Sequence, residues 1–230
     1  MKYRINASYR TPEDLAEVKS QVRDLTSRKI LRFLDAASFA PFLAAAAVYR
    51  LDPTVRPEHV ALYTVGGWDG DMPDQPFVSD GTADSDALIS RHILEEANPV
   101  NWLRMLSNNP LCQVSISEGF RGPNAHLVGG PDALAQVLGV ASADLAAGAA
   151  EQAIVLAYDT APADRRKPSG RAPTSAAALS IVPTDGEDVL PRLFDLADLA
   201  ANGSDSALDV LHACIETLAT PRPVESGAAR

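Results

Sequence analysis

The chain has 230 residues, 46% of them apolar and 22% charged, which is enough for a sizeable core and ordinary for a globular protein. Its net charge of −10 argues against non-specific nucleic-acid binding, which needs a positive field along the phosphates. No apolar run reaches the roughly 18 residues of a membrane span; the nearest, FAPFLAAAAV from Phe39 to Val48, is short and contains Pro41.

The N-terminal segment MKYRINASYR carries charges where a secretory leader would be apolar. Cys112 and Cys214, the only two cysteines, form neither a disulfide framework nor a zinc cluster, so a reducing cytoplasm is the expected location. Thr11-Pro12-Glu13-Asp14 then reads as a helix start, with Thr11 at the N-cap, Pro12 at the first position and acids in the first turn. A second helix is expected from Ser27 to Tyr49, wholly apolar beyond Pro41 and therefore buried on several sides.

Val60 to Val65 (VALYTV), closed by Gly66-Gly67, predicts a buried strand. Asp69 to Asp86 is acidic and aperiodic, a long loop. A helix is expected from Asp86 to Glu96, an apolar turn at Trp102–Leu106, and an extended segment from Cys112 to Ser117, with Cys112 a small core residue. After the Gly119–Asn124 turn, His126 to Val128 is extended and Asp132 to Ala147 helical, with Gly148 at the helix end. Gln152 to Tyr158 is the next buried strand. Strand, helix and strand make a βαβ unit, which predicts parallel pairing of the two strands. Thr160 to Thr174 is a Pro- and Arg-rich loop, Ser175 to Val182 a strand, and Val189–Leu199 and Ser204–Leu218 are amphipathic helices. Residues 1–220 are expected as one domain and 221–230 as a disordered tail.

The run Gly119-Phe120-Arg121-Gly122-Pro123-Asn124 resembles a motif of the β-ketoacyl synthases, the condensing enzymes of the thiolase fold. In that family the turn leads through a short strand to a catalytic Cys at a strand-to-helix elbow. The spacing from Arg121 to Ala157 is kept here, with the elbow at Gly129-Gly130-Pro131, the helix-ending Gly at Gly148 and the next strand at Ile154–Ala157. Val60–Gly67 and Trp102–Pro110 look like upstream segments of the same fold, so the likeness spans about Arg28 to Val182. It implies an α/β, thiolase-like half-fold with a mixed, mostly parallel sheet covered by helices.

Two departures bear on function. The family's nucleophile falls on Pro131, which has no reactive side chain and no backbone N–H to stabilise an oxyanion. The family's histidines lie in a second half that this chain does not reach. The resemblance therefore implies a non-catalytic subunit of the chain-length-factor type, paired with a full-length ketosynthase in polyketide or fatty-acid-like elongation and similar to small partners in aryl-polyene systems. Ala125, His126, Leu127 and Val128 would form the strand that joins the two sheets. Phe77, Ile93, Trp102 and Met105 are the tunnel-gating candidates. Arg165, Arg166 and Lys167 would dock an acidic acyl carrier protein, and the basic turn Arg28, Lys29, Arg32 is either solvated surface or a second such spot. A homodimer stays possible; no cofactor or metal is expected, since no two of His59, His92, His126 and His212 have metal-ligand spacing.

Two other readings stay open. One is a divergent acyltransferase or thioester hydrolase using Ser115, Ser117 or His126, although strand alternation favours a structural His126. The other is a self-associating module that binds acyl carriers.

Overall fold

Alternation along the strands decides the architecture. In β2 (Val60–Gly67), Val60 and Leu62 turn to one side and Ala61, Tyr63 and Val65 to the other, and all five are buried. Burial on both faces is the mark of a sheet covered by helices above and below. β4 (Gln152–Thr160) repeats it, with Ile154, Leu156 and Tyr158 facing one way and Ala153, Val155 and Ala157 the other. So does β5 (Thr174–Thr184), where Ala176 and Ala178 oppose Ala177, Leu179 and Ile181. The computed structural model describes residues 1–67, 82–91, 100, 103, 106–160, 174–204 and 206–219.

With β1 (Lys2–Arg10) and β3 (Asn124–Val128), these strands form one sheet of order β1-β5-β4-β2-β3. β2 pairs in parallel with both β3 and β4, while β5 is antiparallel to β4 and to β1. Only β5 therefore runs against the rest; the sheet is mixed, as expected, with two parallel and two antiparallel pairings rather than mostly parallel ones.

One layer consists of α1 (Leu15–Leu25), the single turn α2 (Arg28–Leu31), α3 (Phe39–Leu51) and α5 (Asn109–Glu118). It packs Val18, Val22, Phe42, Leu43, Leu111 and Val114 against Leu62, Ile154 and Leu156. The opposite layer consists of α6 (Pro131–Ala146), α7 (Leu190–Ala201) and α8 (Ala207–Ala219). Its Leu134, Leu138, Leu193 and Leu211 meet Tyr63, Val155, Leu179 and Ile181. A further helix, α4 (Ala83–Arg91), precedes α5. Helices α6, α7 and α8 thus close the second face of the sheet.

Local chemistry accounts for where the structure departs from expectation. β1 was not legible as a strand, because its register slips between Ile5 and Ala7 and its pattern changes phase there. Tyr3 and Ile5 pack in the α6–α8 layer, and Ala7 and Tyr9 in the α1–α5 layer. Thr11 does not cap α1. Its N–H and hydroxyl both donate to the Ala176 carbonyl, and its oxygen accepts from Ala176 N–H, so it prolongs the β1–β5 pairing. Asp14 takes the cap instead, accepting from Ala16 N–H at 2.7 Å. The helix expected over 27–49 breaks between α2 and α3, and Asn109 Nδ2 donates to the Phe33 carbonyl exposed there. As expected, α3 is buried on several sides.

The segment Cys112–Ser117 is helical, not extended. Its β-branched Val114 and Ile116 suggest a strand, but Pro110 opens the first turn and Gly119, at φ 79°, closes the last with its N–H on the Ser115 carbonyl. Cys112 is accordingly half-buried on a helix face. Helix α4 begins at Ala83, so the acidic loop ends earlier than its composition implies. β3 and β4 run parallel, but they do not pair: β2 lies between them. The tail 221–230 lies outside the described residues.

The motif Gly119–Asn124 is held against the start of β2. Arg121 N–H donates to the Pro57 carbonyl, Gly122 N–H to the Val60 carbonyl and Leu62 N–H to the Pro123 carbonyl. A Cβ on Gly122 would sit 2.5 Å from the Val60 carbonyl oxygen, so only glycine fits. Gly139, in the middle of α6, would meet nothing within 4 Å. Gly122→Ala should therefore lower unfolding free energy by about 1–3 kcal/mol. Gly139→Ala should raise it by about 0.5–1 kcal/mol. Urea titrations of the two variants check both signs. Leu193→Ala and Leu211→Ala, each at a fully buried position, should cost about 2–5 kcal/mol if α7 and α8 complete the core; a cost under about 1 kcal/mol would show them peripheral.

Candidate functional site

The crossovers of the chain set where a site belongs. From β2 the chain travels by way of α5 to β3 on one flank, and from β3 by way of α6 to β4 on the other flank. Right-handed crossovers that run in opposite directions along a sheet must use opposite faces. Accordingly α5 packs in one layer and α6 in the other. The carboxyl ends of β2 and β3 therefore diverge, which is the position where open α/β sheets hold ligands.

Gly129 N–H donates to the Gly66 carbonyl, tying the end of β3 to the end of β2. Gly130 is the N-cap of α6, and its carbonyl accepts from Ala133 and Leu134 N–H. Pro131 opens the helix directly after the strand, at the bend. From Val128 to Asp132 the bend offers no hydroxyl and no thiol. Cys214 is fully buried in α8, with its thiol pushed up to about 11 by that burial. Cys112 stands on α5. Neither thiol belongs to the bend.

On the α1–α5 side of these strand ends, three side chains come together. Register places Thr64 of β2 opposite His126 of β3, and the Thr64 hydroxyl lies 2.8 Å from His126 Nδ1. The His126 ring is nearly parallel to that of Tyr158, with centroids 6.2 Å apart and planes at 17°. Tyr158 extends over Gly66, where a Cβ would come within 2.6 Å of the phenol ring, and its hydroxyl donates to the Ser107 carbonyl at 2.6 Å. Burial holds the His126 imidazole below its ordinary range and the Tyr158 phenol well above its own. His126 Nε2 is buried and has no hydrogen-bond partner among the described residues.

The serines considered as nucleophiles are not brought to this histidine. Ser115 and Ser117 both lie on α5, and the Ser117 hydroxyl pairs with Thr26 Oγ1 and Glu118 Oε1. Thr64, Gly66 and Tyr158 were missed as site residues. The one local signal was a hydroxyl inside the apolar run VALYTV, and the rest depends on register between strands distant in sequence. Phe77, Ile93, Trp102, Met105, Arg165, Arg166 and Lys167 lie outside the described residues, as does His92.

The two sheet margins differ in chemistry. β1 displays Lys2, Arg4 and Arg10, all exposed, and carries the Asn6 bulge. β3 is short and uncharged, from Asn124 to Val128. Leu62 N–H on the Pro123 carbonyl and Gly129 N–H on the Gly66 carbonyl fix its phase. Odd-numbered residues bond to β2, so the N–H and C=O groups of Asn124, His126 and Val128 point away from the sheet. Among the described residues no strand covers that margin.

No protein-family model and no curated protein matches the sequence. Solved structures do. One is the AntDE–AntF complex, a type II polyketide synthase acyl-carrier protein with its ketosynthase bound to the hexaketide: the match has 14% identity, covers 83% of this chain and 64% of that chain, and has a TM-score of 0.53. Another is the ketosynthase ApeO in complex with its chain length factor ApeC from Xenorhabdus doucetiae, at 12% identity, covering 89% of this chain and 93% of that chain with a TM-score of 0.50. This chain thus spans less than two thirds of the matched chain in the first case and nearly all of it in the second. No helix among the described residues is long and apolar enough to cross a membrane. The mixed five-stranded sheet with helices on both faces and these matches agree: the chain has the thiolase-like fold of the ketosynthase structures.

Proposed function

We propose that the chain is a non-catalytic, chain-length-factor-type subunit that pairs through β3 with a catalytic ketosynthase and shapes the acyl tunnel of the pair. The observation that carries this reading is Pro131 at the strand-to-helix bend, with no nucleophile from Val128 to Asp132. Attack on a thioester needs an activated thiol or hydroxyl, and proline supplies neither that group nor an amide donor.

The open margin of β3 supports pairing. An uncharged strand with free N–H and C=O groups accepts another strand, whereas lysine, arginine and a bulge discourage it at β1. The length match to a chain of a ketosynthase–chain length factor complex points the same way. In this reading Phe77, Ile93, Trp102 and Met105 gate the tunnel, and Arg165, Arg166 and Lys167 meet an acidic acyl carrier protein. The mechanism is steric: a bulky apolar side chain occupies volume that a longer acyl chain needs.

Val128→Pro removes one outward N–H, and proline is tolerated on an edge strand whose N–H faces away from the sheet. The variant should keep its circular dichroism spectrum yet fail to co-elute with a full-length ketosynthase that the unaltered chain holds as a 1:1 complex. Undiminished pairing of the variant, or no complex with either form, would overturn the reading. In the reconstituted pair, Trp102→Ala with Met105→Ala should lengthen the product by one or more extension units, read by mass spectrometry; unchanged products retire those two residues as gates.

A further inference from the structure

The last helix is tied to the first strand through a histidine that can make the contact in one charge state only. Arg10, the final residue of β1, reaches across to α8 and donates to the Glu216 carboxylate. Its guanidinium also lies 3.3 Å from Nδ1 of His212, four residues earlier on the same helix. A guanidinium carries donors and no acceptor, so Nδ1 must supply the lone pair. The imidazole held by Arg10 is therefore neutral, with its proton on Nε2.

Protonation of Nδ1 removes that lone pair and sets a second positive charge against the guanidinium. Nε2 offers no compensation, since it is buried and has no hydrogen-bond partner among the described residues. Burial first, and the Arg10 charge second, hold His212 below its ordinary range, against the opposing pull of Asp209 and Glu216. Charged groups on the other elements packed against α8 are engaged elsewhere: Asp159 of β4 with Ser206, Asp144 of α6 with Tyr63, and Arg192 of α7 with the Thr217 carbonyl. Glu216 is the group that can respond. It stands four residues after His212, the spacing at which helical side chains meet, so a charged imidazole competes with Arg10 for its carboxylate. Arg10 and Glu216 have 46% and 64% of their side-chain surface exposed, so their ion pair alone holds little.

We propose that Arg10, His212 and Glu216 form an acid-released clasp between β1 and α8: near neutrality Arg10 holds both side chains, and on protonation of His212 Glu216 changes partner and the helix loosens from the sheet. The open helix binds the proton more readily than the closed one. The clasp is thus intact above the ordinary imidazole pKa of about 6.5 and weakens as pH falls below it. Because α8 carries Leu208, Leu211 and Cys214 into the core, release uncovers the apolar face beneath it.

The whole chain, labelled with nitrogen-15 in histidine, tests this. His212 should carry its proton on Nε2 at pH 8 and titrate below the free imidazole. Arg10→Gln should raise that titration point and Glu216→Gln should lower it. In native-state hydrogen exchange, corrected for the intrinsic effect of pH, α8 should open more at pH 5 than at pH 7.5, relative to α3 in the opposite layer. The increase should reach up to about tenfold for each unit by which His212 is depressed. His212→Asn keeps an acceptor for Arg10 and cannot titrate, so it should abolish the difference. A proton on Nδ1, titration at or above the free value, exchange of α8 that follows α3 at both pH values, or a full response in His212→Asn would each overturn the proposal. None of these outcomes bears on pairing through β3.

Discussion

The structure depends on β2 being an interior strand in both directions. Its side chains are buried above and below the sheet, and its backbone pairs with β3 on one margin and β4 on the other. A strand so placed has no polar group left for water, so both margins and both faces must be supplied by the rest of the chain. The motif turn at Gly122, the bend at Gly129–Pro131 and the helices of both layers are all fixed by reference to it. The divergence of its two crossovers then leaves one place where side chains from three strands converge.

Much of this was legible. β2, β4 and α6 declare themselves through continuous apolar runs or a clean helical face, because they are buried by local pattern alone. β1 was not, since a bulge at Asn6 shifts the alternation midway and charges stand on its outer side. The helix α5 reads as a strand by residue preference, and its capping residues, Pro110 and Gly119, outweigh that preference. The site was half visible. Pro131 and the motif could be named from spacing, but the contacts of Thr64, His126 and Tyr158 arise from register among strands up to about ninety residues apart, and no single-strand pattern encodes register.

The second face of the sheet is closed by α6, α7 and α8. Leu190, Leu193 and Ala197 of α7, with Leu208, Leu211 and Cys214 of α8, cover Tyr63, Val155 and Leu179 from within the same polypeptide. The Tyr63 hydroxyl, carried into that layer, is satisfied by the Asp144 carboxylate of α6. Burial of this extent explains why Cys214 behaves as a small apolar residue with a reluctant thiol.

The asymmetry of the sheet's two margins has a consequence for stoichiometry. Strand addition propagates into fibres when each newcomer offers a fresh edge equivalent to the one it covered. In the proposed pairing through β3, the margin left over is that of β1, where exposed Lys2 and Arg4 and the Asn6 bulge disfavour a third strand, so the arrangement favours a pair over a fibre.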